Sequence, residues 1–333
     1  MKRLKAVLIS SFVFALAFAS FLGAESGQAQ DKRLKVAAIY STPIEEPWIQ
    51  VIHRAYEKIK KEFNIQYEYT EKVSAPDYER VVREYIARGF DVISGESFIN
   101  EGAARRVAKE FPKVKFLMGS GLGPAEPNFA VFDNWLHEAS YLAGMLAGKM
   151  TKTNVLGVVG GYAVGEVNRL VNAFKVGAKE VNPNVKVKIT FIGSWFNPPK
   201  AKEAAIAQIE AGADFLYAER HGVIEAAKER GKLAIGNLLD QNEEAPGTVI
   251  TSVTWNMEPA LRAAFSAIRG GYFRGIDYAE YTMLRKGGAA LAPWHGWEKK
   301  LSPEISQMLS KRKKEILAGT FRVPVNEAVP RSD

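Results

Sequence analysis

Aromatic rings and polar groups recur together in this 333-residue chain at the ends of short apolar runs. Glu45, Glu46 and Trp48 follow the run at 35–40, and Glu96, Ser97 and Phe98 follow a run ending near Ile93. Trp195, Phe196 and Asn197 come after 186–192, Glu219 and His221 after Tyr217, and Asn237 and Asp240 after 233–235. Such groups can hold a flat heteroaromatic ligand, because rings stack on its faces while acids and amides exchange hydrogen bonds with its polar edge. Each has a structural alternative: Trp48 can pack beneath the helix that follows it, and Ser97, Asn100 and Asp240 can cap helices. At Trp195 and Phe196 ligand contact is the better reading, since Pro198 and Pro199 lower the entropy of holding that loop.

Catalysis needs a nucleophile, a base and an orienting group, and the sequence spacing assembles no such set. His53, His137, His221 and His295 are isolated, and none lies in G-x-S-x-G, H-E-x-x-H or S-x-x-K. The chain has no cysteine, which excludes disulfides, thiolate metal sites, cysteine nucleophiles and a lipid-bearing N-terminal cysteine. The run Gly119-Ser120-Gly121-Leu122-Gly123 is followed by Pro124 rather than by a helix, and Gly160, Gly161 and Gly165 lack the Lys-Ser/Thr pair of a P-loop. The expectation is a binding protein with no cofactor and no metal, not an enzyme; an enzyme using Glu96 or Asp240 as a base is the competing reading.

The net charge of +8 falls to about +6 when residues 1–29, with three bases and one acid, are set aside. The densest basic run, Lys311 to Lys314, lies in a helical pattern, so nucleic acid is not an expected partner. Three bases in 1–5, an apolar run over 6–24 and small residues at Gly27 and Ala29 read as a secretory signal peptide, 1–29, with an uncleaved membrane anchor as the alternative. The protein is therefore expected to act outside the cytoplasm, periplasmic or secreted, and not as a lipoprotein.

The elements that must position these groups alternate strand and helix. Strands are expected at 35–40, 66–70, 91–93 and 115–118, with helices between them, including an apolar stripe of Ile52, Ala55, Tyr56, Ile59 and Phe63. The pattern restarts with a helix at 138–149, a strand at 154–159, a helix at 166–180 and a strand at 186–192. Further units follow at 201–211, 215–217, 222–230, 233–235 and 248–253. This is an α/β fold of two doubly wound parallel-sheet lobes, joined by a hinge, with a cleft at the carboxyl ends of the strands. The chain is expected to cross back between lobes within 252–293, giving lobe 1 as 31–133 and 254–285 and lobe 2 as 134–253 and 286–333.

Several stretches resemble the basic-membrane-protein family of ABC-transporter substrate-binding proteins, the purine-nucleoside-receptor-like group with a type I periplasmic-binding fold. They are Glu138-Ala139-Ser140-Tyr141-Leu142-Ala143-Gly144, Gly193-Ser194-Trp195-Phe196-Asn197-Pro198, Gly212-Ala213-Asp214 and Ala289-Ala290-Leu291-Ala292-Pro293-Trp294. The resemblance covers about residues 35–296. It implies a monomer that clasps a purine base, adenine-like, or a purine nucleoside between its lobes and hands it to an ABC permease in the membrane. Trp48, Ser97, Phe98, Trp195, Glu219 and Asp240 match the family's ligand-facing loops by position. Glu96, Phe196, His221 and the hinge residue Trp255 complete the candidate set, and Asp133 and Asn134 could serve ribose hydroxyls. A nucleoside or sugar hydrolase on this scaffold, or a ligand sensor for a membrane receptor, are the other functions considered.

Overall fold

The computed structural model describes residues 32–333, so the expected signal peptide lies outside the described residues. Two mainly parallel sheets organise the chain. The first contains β1 (Leu34–Ile39), β2 (Ile65–Thr70), β3 (Val92–Glu96), β4 (Lys115–Gly119) and β5 (Phe129–Phe132), in the order β2-β1-β3-β4-β5. The second contains β6 (Val155–Gly160), β7 (Lys186–Phe191), β8 (Phe215–Tyr217), β9 (Leu233–Leu238), β10 (Val249–Trp255) and β11 (Ala289–Leu291), in the order β11-β10-β9-β8-β6-β7. Among the strand pairs of the described residues only β10/β11 is antiparallel. The central strands are apolar on both faces, as burial between two helical layers demands.

The helices are α1 (Pro47–Ile59), α2 (Ala75–Ala87), α3 (Glu101–Glu110), α4 (His137–Met150), α5 (Gly165–Val181), α6 (Pro198–Glu210), α7 (Val223–Glu229), α8 (Glu258–Arg269) and α9 (Pro303–Ala318). The α1 stripe is buried as its spacing predicts, with Ile52, Ala55, Tyr56 and Ile59 all in the core. After β10 the chain reaches α8, which packs on α1 beside the first sheet, and it then returns to the second sheet at β11. One buried cluster runs through both lobes, from Val36, Trp48 and Phe132 to Phe174, Tyr217 and Val253.

The structure corrects the sequence reading in four places. The strand expected at 91–93 continues to Glu96, because Ser94 and Gly95 pair with Leu117 and Met118 of β4 despite their low strand propensity. The short strand β5 and the helix α8 carried no recognised signal. Pro198 and Pro199 form the first turn of α6, not a loop: proline lacks an N–H that the first turn would leave unpaired, and Asn197 Oδ1 accepts from Lys200 N at 3.2 Å. Lastly, the strand expected at 233–235 runs on to Leu238 and takes Asn237 into the buried interior.

Candidate functional site

In both sheets the strand order reverses beside the first strand laid down, between β1 and β3 in one and between β6 and β8 in the other. Helices leave to opposite faces at such points, so the strand ends there are uncovered and polar groups can collect. The segments that follow these strands meet across the cleft. Thr42, Glu46 and Trp48 come from after β1, Glu96 and Phe98 from β3 and the residues behind it, and Ser120 from after β4. The second sheet contributes Glu166 from the start of α5, Trp195 from after β7 and Arg220 from after β8. Together they line a narrow, tightly packed pocket that opens to solvent.

Arg220 is the central cation. Its Nη2 and Nε donate to the two carboxylate oxygens of Glu219 at 2.7 and 2.9 Å, and its Nη1 donates to the Trp195 carbonyl at 2.9 Å. Across the cleft, Nη1 lies 3.4 Å from Glu46 Oε1. Glu46 Oε2 caps α1 by accepting from the N–H groups of Trp48 and Ile49, which fixes its carboxyl at the cavity edge. Burial raises the Glu46 carboxyl to about 7, outweighing the attraction of Arg220. Burial also raises Glu96, although Ser41 donates to it through both its N–H, at 2.8 Å, and its hydroxyl. Glu166 is held well above the ordinary carboxylate range by burial and by Asp133, and it accepts from Ser120 Oγ at 2.5 Å.

The aromatic walls also come from both lobes. Phe98 meets the Trp195 ring edge-on, with centroids 5.1 Å apart, and Tyr162 does so at 4.9 Å. A Cβ on Gly161 would stand 2.9 Å from the Trp195 ring, so only glycine lets the β6 end approach that closely. Trp48 serves the core and the cavity at once: it is 6% exposed, stacks on Phe132 at 6.0 Å and packs against Trp255 at 5.3 Å. Its Nε1–H and the Thr42 hydroxyl are buried without a hydrogen-bond partner among the described residues.

Of the ten candidates from sequence, Trp48, Glu96, Phe98 and Trp195 line this cavity. The other six stand elsewhere. Ser97 is fully buried and donates to the Gly119 carbonyl at 2.9 Å, holding its own turn. Glu219 sits behind Arg220 and accepts from Gly161 N at 3.0 Å. Trp255 backs Trp48 from inside the core. Phe196 stacks on His221 at 6.2 Å, outside the cavity lining, and His221 is itself exposed. Asp240 is also exposed and pairs with His295 Nε2 at 2.7 Å. Its place after β9 suggested a cleft position, but its carboxylate is engaged by the exposed His295 and does not line the cavity. Asp133 pairs with Arg169 at the wider mouth of the cleft.

Sequence reading gave no role to Thr42, Ser120, Glu166 and Arg220. Arg220 carried one usable signal, a base directly after an acid at a strand end. Glu166 resembled an ordinary acidic residue in a helix first turn, and the signal for Glu46 was its position before a helix-opening proline.

The sequence profile of the family described as Bmp, ABC transporter substrate-binding protein PnrA-like, matches residues 34–326. A purine-binding protein of Brucella abortus is 30% identical over 282 residues, 83% of this chain and 79% of that protein. A putative ABC transporter glucose-binding protein of Haloferax volcanii is 29% identical over 295 residues, 87% of this chain and 74% of that one. Among solved structures, a solute-binding protein of an ABC transporter system from Aeropyrum pernix superposes with a TM-score of 0.75 at 19% identity, covering 88% of this chain and 94% of that one.

Proposed function

The chain belongs to the Bmp family of ABC transporter substrate-binding proteins, and from that premise we propose that its cleft takes a purine base, adenine-like, or a purine nucleoside. The observation that carries the reading is the convergence of Trp48, Phe98 and Trp195 with Glu46, Glu96 and Glu166 on one cavity. Aromatic faces suit a planar heterocycle. A carboxyl whose proton is retained near neutral pH both donates and accepts, which complements a purine edge where an N–H and a ring nitrogen lie side by side. The unpartnered Trp48 Nε1–H and Thr42 hydroxyl offer further donors.

The lobes close on the ligand by hinge bending at the crossovers near 133, 254 and 285, and the closed form docks on a membrane permease outside the cytoplasm. No catalytic step is assigned, in keeping with relatives named as binding proteins. Among the described residues no helix is long and apolar enough to cross a membrane. A second reading, a sugar, draws on the Haloferax relative, since aromatic rings and carboxylates also hold sugar hydroxyl faces.

A thermal-shift series separates the two on protein unfolded and refolded to strip carried ligand. A ligand at 100 times its dissociation constant adds about 2.7 kcal/mol of stability. Adenine or another purine should raise the midpoint by several degrees while glucose leaves it unchanged. A shift with sugars alone overturns the purine assignment.

A further inference from the structure

Two cavities meet at a neck between the lobes. Phe98, Ser120 and Glu166 line both the narrow inner pocket and the wider mouth, where Asp133, Trp135 and Asp277 also stand. Across this neck the Ser120 hydroxyl, from the segment after β4, donates at 2.5 Å to Glu166 Oε2, on the second residue of α5. Phe98 narrows it further by meeting Trp195 edge-on at 5.1 Å.

The backbone beneath Ser120 is fixed and strained. Its φ is 55°, in the left-handed region, where a side chain carries a steric cost that glycine does not. Glycine stands on both sides of it, at 119 and 121, yet not at this position. A Cβ on Gly119 would lie 2.3 Å from the Trp48 ring and one on Gly121 would lie 2.9 Å from the Val131 side chain, so both neighbours are pressed onto the lobe. The Ser120 N–H donates to the Phe132 carbonyl at 3.1 Å. A serine held at such a cost, with its hydroxyl spent on a bond to the other lobe, points to a use for that hydroxyl. Its partner is carried just as firmly, by the first turn of a 17-residue helix.

We propose that the Ser120–Glu166 bond forms behind a free purine base as the lobes close, and that this pair thereby selects the base over purines substituted on the ring nitrogen that carries the sugar in nucleosides. This rests on the purine reading of the cleft and names the member of that class it takes. With the bond made the inner pocket is narrow, so a ligand enters while the lobes are apart and the neck closes afterwards. The mouth is the wider cavity and so the side on which a substituent would leave. A free base ends at its ring edge and lets the neck close. A ribose would lie between Ser120 and Glu166 and hold them apart, which costs the lobes one of the bonds that join them.

Calorimetric titration of ligand-stripped protein with adenine, 9-methyladenine and adenosine tests the selection. A single fixed pH keeps the titration of Glu46 common to all three. Native protein should bind adenine at least about tenfold more tightly than either substituted purine. Ser120→Gly suits the left-handed backbone, so the protein should fold with little change in thermal midpoint, while the preference falls to about threefold or less. Glu166→Ala should lower the preference likewise, and Glu166→Gln, whose amide oxygen still accepts from Ser120, should retain it. Adenosine bound by native protein as tightly as adenine overturns the selection and leaves the purine reading intact. So does a preference that Ser120→Gly leaves unchanged, because it would then come from a contact to the ring N–H. Native protein that binds none of the three removes the purine reading, and the selection with it.

Discussion

Trp195 touches groups from both lobes: Phe98 and Tyr162 meet its ring, Arg220 lies 5.3 Å from its centroid, and its carbonyl accepts from the same guanidinium. On the proposed reading, Trp195→Ala removes a stacking face and should weaken adenine binding by about 1–3 kcal/mol, measured by titration calorimetry. Because Trp195 is only half-buried, the thermal midpoint without ligand should hardly change. Unchanged affinity would exclude Trp195 from the site. Asp240 provides the contrast. It sits outside the cavity in an exposed pair with His295, so Asp240→Asn should leave adenine affinity within experimental error. Placement after a strand was the only sequence basis for including it, and that evidence is the same for a cleft residue and for a surface ion pair.

At the level of elements, the α4/α5 contact shows how a family-like motif translates into packing. Gly144 and Gly177 face each other where these helices cross: a Cβ on Gly177 would lie 2.1 Å from the Tyr141 carbonyl oxygen, and one on Gly144 would lie 2.0 Å from that of Phe174. Both atoms are backbone and cannot swing aside, so Gly177→Ala must push the helices apart. It should cost about 1–3 kcal/mol in a urea unfolding curve. A smaller loss in adenine affinity should accompany it, because α5 carries Glu166 and Arg169 to the cleft. Most elements were legible from apolar periodicity alone. The exceptions include β5, α8, the ends of β3 and β9 and the start of α6; at the end of β3 and the start of α6 pairing partners or end chemistry outweighed local composition, since Gly95 becomes strand because β4 supplies its partners and Pro198 becomes helix because it stands at the first turn.

Across the whole molecule the lobes are tied together by more than the three chain crossovers. The core cluster passes through both, Ser120 and Asp133 bond to groups on α5, and Arg220 reaches Glu46. The C-terminal segment fastens along α5 and β7, where Asp333 pairs with Lys175 and Lys179 at 2.8 and 2.9 Å and accepts from Val187 N. With one continuous core, the ligand-free protein should unfold in a single transition whose calorimetric and van't Hoff enthalpies agree; two resolved transitions would show that the lobes fold independently. The sequence by itself determined the α/β class, the two-lobed order, the strand ends as the place to look, and the family resemblance. All of these follow from local periodicity and from short motifs within single elements. Only the tertiary structure decided which polar residues share the cavity. Glu46 and Arg220 are 174 positions apart and Ser120 and Glu166 are 46 apart, and such pairs are set by how two sheets meet across a cleft, a geometry that no local spacing in the chain encodes.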